Sequence, residues 1–299
     1  MTRKKDKKIK SEQGGGQQTS NINWFPGHMT KARRQMEENL KKVDFIIEIR
    51  DARIPLASKN PMLDELIGTK PRLIILSKKD KADPVKTKEW LEYFQTDRQK
   101  AVALDLIKDS YKNVIIECGE KLCAPLIEKQ KRRGINPRAL RAMVCGIPNV
   151  GKSTFINTLA KRKAAQTGDK PGVTKALQWI KLDKAIELLD TPGVLWPKFE
   201  GEHIGEKLAL LGAIRDEVVT QDDIAFYACE WLMKNDPEAL KKTYQIELQD
   251  TPYDTLLEIG RKRGYLQKGQ IDENRLMKSF VKDIRENKLG KLTWESVDD

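Results

Sequence analysis

The run Gly146-Ile147-Pro148-Asn149-Val150-Gly151-Lys152-Ser153 matches G-x-x-x-x-G-K-[ST] and joins an apolar stretch, AMVCGI at 142–147, to STFINTLAK. No other feature restricts the fold as much. Such a loop works only where a buried strand delivers it and a helix leaves from it, so that the helix N-terminus faces the bound anion. Its glycines let backbone N–H groups, here around Val150, Gly151 and Thr154, curl about a β-phosphate. Lys152 reaches the β- and γ-phosphates, and the Ser153 hydroxyl suits Mg²⁺. About forty residues on, LLDTPG at 188–193 places Asp190 at the end of an apolar run, where a carboxylate holds the metal through water, and leaves Gly193 to turn its N–H to a γ-phosphate. Between them, TGDKPGVTK at 167–175 carries Thr174, a residue able to close onto the metal.

The rest of the first two hundred residues is built to carry that loop. Strand-like runs at 43–49, 72–77, 101–106 and 142–147 alternate with helical stretches at 61–68, 84–97 and 111–132, and a further helix is expected over Met29 to Lys42. Asn60 and Asp83 precede prolines suited to a first helical turn. The alternation predicts a mostly parallel sheet with helices on both faces. The runs at 176–182 and 185–190 read as an antiparallel pair turning at Asp183-Lys184. After about residue 200 the pattern is helix, turn, helix. In the last helix, ended by Gly290, Leu276, Met277, Phe280, Val281 and Ile284 share one face, with Lys278, Lys282 and Arg285 towards the other.

One segment stands in an unexpected place. LIILSKKD at 73–80 ends a strand on Ser77-Lys78-Lys79-Asp80, a variant of the signature that reads guanine. A carboxylate at Asp80 accepts from both N1–H and the 2-amino group of guanine, which adenine does not offer, while the Lys78 stem lies over the ring. The usual first residue is Asn, and Ser77 is too short to span the same bonds to base and phosphate loop. A second register, Asp80 to Asp83, competes, but only the first puts the carboxylate beside the sheet edge. Base motif, phosphate loop, first switch and second switch thus occur in a permuted order. Pocket geometry depends on where strands lie in space, so old termini can be joined and new ones opened without moving the site. The chain after DTPG then runs directly into the helical region, which ties that region to the γ-phosphate.

Lys and Arg outnumber Asp and Glu by 56 to 44, a net charge of +12 that favours polyanionic partners, nucleic acid first. Residues 1–20 combine basic, Gly, Gln and Ser residues, as in a disordered tail. No run of about eighteen apolar residues and no secretory h-region occurs, so a soluble, cytoplasmic protein is expected. The four cysteines and two histidines show neither zinc spacing nor a disulfide framework.

With WFPGHMTKARR, DARIP, KPRLIILSKKD, GIPNVGKST, TGDKPGVTK and LLDTPGVLWPKFE in this order, the chain resembles the bacterial circularly permuted GTPases, most closely the ribosome biogenesis GTPase A family, from about Trp24 to its end. The resemblance implies a circularly permuted P-loop GTPase domain over 21–200 and an all-helical RNA-binding domain over 201–299. It also implies late assembly of the large (50S) ribosomal subunit as the role, with the particle and its rRNA as partners, and a monomer is expected. Ser77 and the stretch ALDL, where a Ser-Ala type loop belongs, depart from the pattern. Val194 and Leu195 follow Gly193 where many GTPases hold a water-orienting Gln, so intrinsic hydrolysis should be slow. His28 is the substitute that the resemblance implies, against its reading as a turn residue at a helix start. Asn149 offers an amide oxygen to K⁺, a dependence that the resemblance also implies, against its reading as a turn former. A P-loop ATPase and an RNA-binding switch without significant turnover are the alternatives.

Overall fold

The computed structural model describes residues 33–34, 36–160, 178–182, 184–191, 201, 203–214 and 218–298. Strands β1 (Phe45–Asp51), β2 (Arg72–Ser77), β3 (Gln99–Leu104), β4 (Leu140–Cys145), β5 (Gln178–Lys181) and β6 (Ile186–Asp190) form one sheet in the order β3-β2-β1-β4-β6-β5. All neighbours are parallel except β5 and β6, the expected antiparallel pair. Chain order moves outward from β1 to β3, then returns so that β4 lies against the other side of β1. Sites in open α/β sheets form where such a reversal splits the strand ends. Here that point lies between β1 and β4.

β1 is buried along its whole length although its sequence is FIIEIRD. The charges are satisfied within the sheet: Glu48 accepts from Arg50 at 3.0 and 2.9 Å and from Arg72 at 3.1 Å. Helices α1 (Pro61–Ile67) and α2 (Pro84–Tyr93) start as expected, with Asn60 accepting from the Met62 amide and Asp83 from those of Val85 and Lys86. The expected helix 111–132 is instead two, α3 (Lys112–Leu122) and α4 (Ala124–Arg132), broken at Cys123 because Pro125 has no amide and restricts the residue before it. Of the first helix, residues 33–34 and 36–40 are described; Met36 and Leu40 pack with Ile46 and Met143.

The phosphate-loop helix is α5 (Lys152–Ala160), and α6 (Ile204–Leu210) opens the helical region, followed by α7 (Gln221–Asn235), α8 (Pro237–Tyr244), α9 (Pro252–Lys262) and α10 (Glu273–Arg285). One hairpin interrupts the helices, β7 (Leu266–Gln267) with β8 (Gln270–Ile271). Lys268 and Gly269 both have positive φ, 52° and 79°, as a two-residue turn between twisted strands requires. The apolar face predicted for α10 is buried. That helix stops at Arg285, five residues before Gly290, and Arg285 turns inward rather than joining the exposed Lys278 and Lys282. Residues 292–297 return to the α/β part: the Trp294 amide donates to the Arg53 carbonyl at 2.8 Å, and the buried Glu295 carboxylate accepts from the Leu56 and Ala57 amides and pairs with Lys207. Burial pushes the Glu295 carboxyl up, with Lys207 offsetting part of the shift.

Candidate nucleotide site

The loop after β4 is shaped by backbone constraints before any side chain takes part. Gly146 has φ 156°, and a Cβ there would stand 2.6 Å from the Ile49 carbonyl oxygen, so only glycine lets β4 turn away beside β1. Asn149 and Gly151 also have positive φ, 60° and 98°. Lys152 then begins α5 with Ser153 and Thr154 in its first turn. The buried Lys152 ammonium lies 3.4 Å from Asp190 Oδ1 at the end of β6. Burial drives both groups towards neutrality, lysine down and carboxyl up, and their attraction offsets only part of it. The contact is long for a charge-assisted bond.

The base motif meets the loop directly. Ser77 Oγ lies 2.7 Å from the Val150 carbonyl and 2.9 Å from that of Arg50, and its one hydrogen serves one of them at a time. Of the two bonds that serine was expected to be too short to span, to base and to phosphate loop, the one to the loop is made, because β2 comes close enough for Oγ to reach the Val150 carbonyl. Lys78 is in the left-handed region and donates to the Asn149 carbonyl at 2.9 Å. Residues some seventy positions apart in the chain are thus joined at one sheet edge. Asp80 sits in a 3₁₀ turn, Lys79–Lys81, and its carboxylate accepts no hydrogen bond from the described residues. Asp83 caps α2 at 2.7 and 3.1 Å, which commits its carboxylate to that helix start.

Beneath the base motif lies a buried ionic cluster that no sequence motif announces as a whole. Asp51, the last residue of β1 and the register partner of Ser77, accepts from Arg53 Nε and Nη2 at 2.9 and 2.8 Å and pairs with Lys78 at 2.9 Å. Burial alone would raise the Asp51 carboxyl, but the two cations and their hydrogen bonds hold it well below the usual carboxylate range. Lys78 is pulled down by its own burial. The signal was present in DARIP, where a carboxylate at a strand end precedes an arginine by two. Beside it, Asp105 of the ALDL stretch accepts from the Ile107 and Lys108 amides, and Leu106 packs against Gly151.

A second link leaves from the loop. Asn149 Nδ2 donates to the Gly212 carbonyl at 2.8 Å. Gly212, at φ 71°, closes α6: its amide bonds the Ala209 carbonyl and the Ala213 amide bonds that of Leu208, a Schellman end. Arg285 donates to the Leu210 and Ala209 carbonyls at 3.0 and 2.7 Å. The phosphate loop and α10 therefore hold the same helix end. His28, Thr174 and Gly193 lie outside the described residues.

Comparison with known proteins agrees with this geometry. Residues 141–257 match the family model described as 50S ribosome-binding GTPase. The chain is 47% identical over 278 residues to ribosome biogenesis GTPase A of Bacillus pumilus, covering 92% of this chain and 98% of the relative. It is 30% identical to the protein of the same name from Thermotoga maritima, with 93% and 95% covered. The mitochondrial ribosome-associated GTPase 1 of Mus musculus is 35% identical, with 75% and 78% covered. Among solved structures, GDP-bound YlqF superposes with a TM-score of 0.62 at 28% identity, covering 89% of this chain and all of that one.

A sheet in the order β3-β2-β1-β4-β6-β5, with base motif and phosphate loop meeting at its reversal point, defines a circularly permuted P-loop GTPase, an enzyme that hydrolyses GTP. The chain belongs to the ribosome biogenesis GTPase A family.

Proposed function

We propose that this GTPase binds the large (50S) ribosomal subunit through rRNA and acts in its assembly, with slow turnover that the particle stimulates. The observation that carries the nucleotide half is the interlock of Ser77 and Lys78 with the carbonyls of Val150 and Asn149, which sets a guanine reader and a phosphate cradle at one pocket's length. The ribosomal half is supported by the names of the relatives, by the net charge of +12 and by the exposed Lys278 and Lys282 on α10. In this reading Asp80 reads the base beneath the Lys78 stem. Ser77 anchors the motif, and Asn149, Val150, Gly151, Lys152, Ser153, Thr154 and Gly193 surround the phosphates. Ser153, Thr174 and Asp190 offer oxygen donors of the kind that Mg²⁺ takes, and the buried Asp190 carboxylate is available once Lys152 turns to phosphate. Mg²⁺, when bound, neutralises charge developing on the phosphate oxygens. Asn149, whose amide nitrogen is held by Gly212, keeps its oxygen for K⁺. Lys152, Thr174 and His28 form the catalytic set, with His28 orienting water in place of the missing Gln. Residues 1–20 form a basic tail, 21–200 the GTPase domain and 201–299 the RNA-binding domain of a cytoplasmic monomer. Among the described residues no helix is long and apolar enough to cross a membrane.

The test is GTP turnover with and without purified large subunits, in K⁺ and in Na⁺, for the parent and His28→Ala. Stimulation by the particle, larger in K⁺ and lost in His28→Ala, is expected. Absence of stimulation removes the ribosomal role, and undiminished stimulated turnover in His28→Ala removes the catalytic histidine.

A further inference from the structure

We propose that the sheet edge at which the parallel strands begin is a second RNA contact surface, built to receive a sugar–phosphate backbone. It adds a surface to the ribosomal reading above and rests on it. The register brings the strand starts side by side: Arg72 faces Gln99 and Ile46, Phe45 faces Ala142, and Leu140 faces Ile186. Each start is approached past cations: Arg98 before β3, Lys70 before β2, Lys41 and Lys42 before β1, Arg133 and Arg138 before β4, and Lys184 before β6. Five strands at about 4.8 Å spacing span roughly 19 Å, a length over which a nucleic-acid strand rising about 3.4 Å per residue presents five or six phosphates.

Three of these cations are engaged, Arg138 with Asp44, Lys70 with the Val43 carbonyl and Lys42 with Asn39, and the other four are available to a partner. Lys41, Arg98, Lys131, Arg133 and Lys184 are exposed and form no ion pair with a described residue, and residues 131–138 are exposed throughout. The acids here are mostly matched: Asp44 is taken by Arg138 at 2.8 and 2.9 Å, Glu128 pairs with Arg132 and Glu187 with Arg141 and Lys181, while Asp97 and Asp183 adjoin Arg98 and Lys184 in the chain. Complementing a helix dipole accounts for Lys129, Lys131 and Arg132 at the end of α4. It does not account for Lys184 in the turn between β5 and β6, or for Arg98 beside β3. The seven residues of β1 separate this edge from the phosphate loop by about 20 Å. RNA and nucleotide can therefore be held together, one at each end of the same strands.

The test uses the full chain carrying Lys41→Ala, Arg98→Ala, Arg133→Ala and Lys184→Ala, with Lys278→Ala/Lys282→Ala on α10 as a parallel variant. Affinity for purified large subunits is measured from 50 to 200 mM salt with a non-hydrolysable GTP analogue. Unchanged GTP turnover without particles certifies folding of both variants. The edge variant is expected to bind about tenfold or more weakly, and its salt slope to fall by about 0.7–0.9 for each cation that had neutralised a phosphate. Parent-like affinity and slope in the edge variant overturn the proposal, and if the α10 variant is weakened in the same experiment the ribosomal reading stands without it. Weaker binding at an unchanged slope overturns it too, because the contact is then a protein and not phosphate. No binding by the parent chain removes both.

Discussion

At their C-terminal ends β1 and β6 finish on Asp51 and Asp190, β3 runs directly into Asp105, and all three side chains are buried; at their N-terminal ends the same strands are entered past exposed lysines and arginines. Burial imposes partners. Asp51 is held by Arg53 and Lys78, Asp190 by Lys152, and Asp105 by two backbone amides. A buried carboxylate without such support costs several kcal/mol, so this end is arranged before any ligand arrives. Exposed cations at the opposite end need no partner, because water solvates them and each surface pair contributes little. One end therefore reads the geometry of a single small molecule, and the other attracts charge over a distance with little bearing on stability. Substitutions at the carboxylate end should be costly, and those at the cationic end should leave the fold unchanged.

The largest effect is expected at Asp51. Asp51→Ala strands Arg53 and Lys78 without their buried counter-charge and should destabilise the chain by about 3–5 kcal/mol, seen as a lower urea midpoint. A loss below about 1 kcal/mol would mean that the carboxylate end is no more prearranged than the cationic one. The pH dependence carries the same test. Below the ordinary value of 3.8 the unfolded chain protonates Asp51 while the folded chain keeps it ionised. The unfolded state then binds the extra proton, so the contribution is fully present above that value and is lost as pH falls beneath it. In Asp51→Ala this part of the acid-unfolding curve should flatten.

Lys152→Ala comes next. It removes the cation aimed at the phosphates and leaves Asp190 buried alone, and turnover should fall by about 10²–10³, measured as phosphate release at saturating GTP. Retention of turnover within tenfold would show that the Lys152–Asp190 pair is structural and that phosphate charge is met elsewhere at this end.

What could be read from the chain follows from how local each signal is. A glycine-rich loop between a buried strand and a helix is specified by contiguous residues, so the parallel sheet, the antiparallel pair and the phosphate cradle were all legible. The apolar face of α10 was legible for the same reason, through its 3.6-residue period. The break at Cys123 was missed because helix formers on both sides outweighed a single proline. The hairpin at Lys268-Gly269 was missed because its two-residue strands are too short to show alternation. Asp51 was not singled out, since its role exists only once β2 lies beside β1 and brings Lys78 to it. The return of residues 292–297 to Arg53 and Ala57, and the shared grip of Asn149 and Arg285 on the end of α6, join positions too far apart for any spacing rule.

Ser77 is the case in which a local reading was corrected at the phosphate loop alone, and it gives the smallest and most discriminating prediction. A serine where Asn is usual looked like a weakened motif, yet the side chain is fully buried with its oxygen between the carbonyls of Arg50 and Val150. If serine is the fitted anchor of this end, Ser77→Ala should weaken GTP binding about fivefold, the value of one hydrogen bond of ~1 kcal/mol. Ser77→Asn should also lose stability, by about 1–3 kcal/mol, because the added atoms enter a closed space. If serine is only a degraded Asn, the second variant should instead bind GTP more tightly at unchanged stability. Titration of the three proteins with a fluorescent GTP analogue, alongside their urea midpoints, separates the two outcomes, because in one case Asn costs both fit and fold and in the other it improves the first and leaves the second alone.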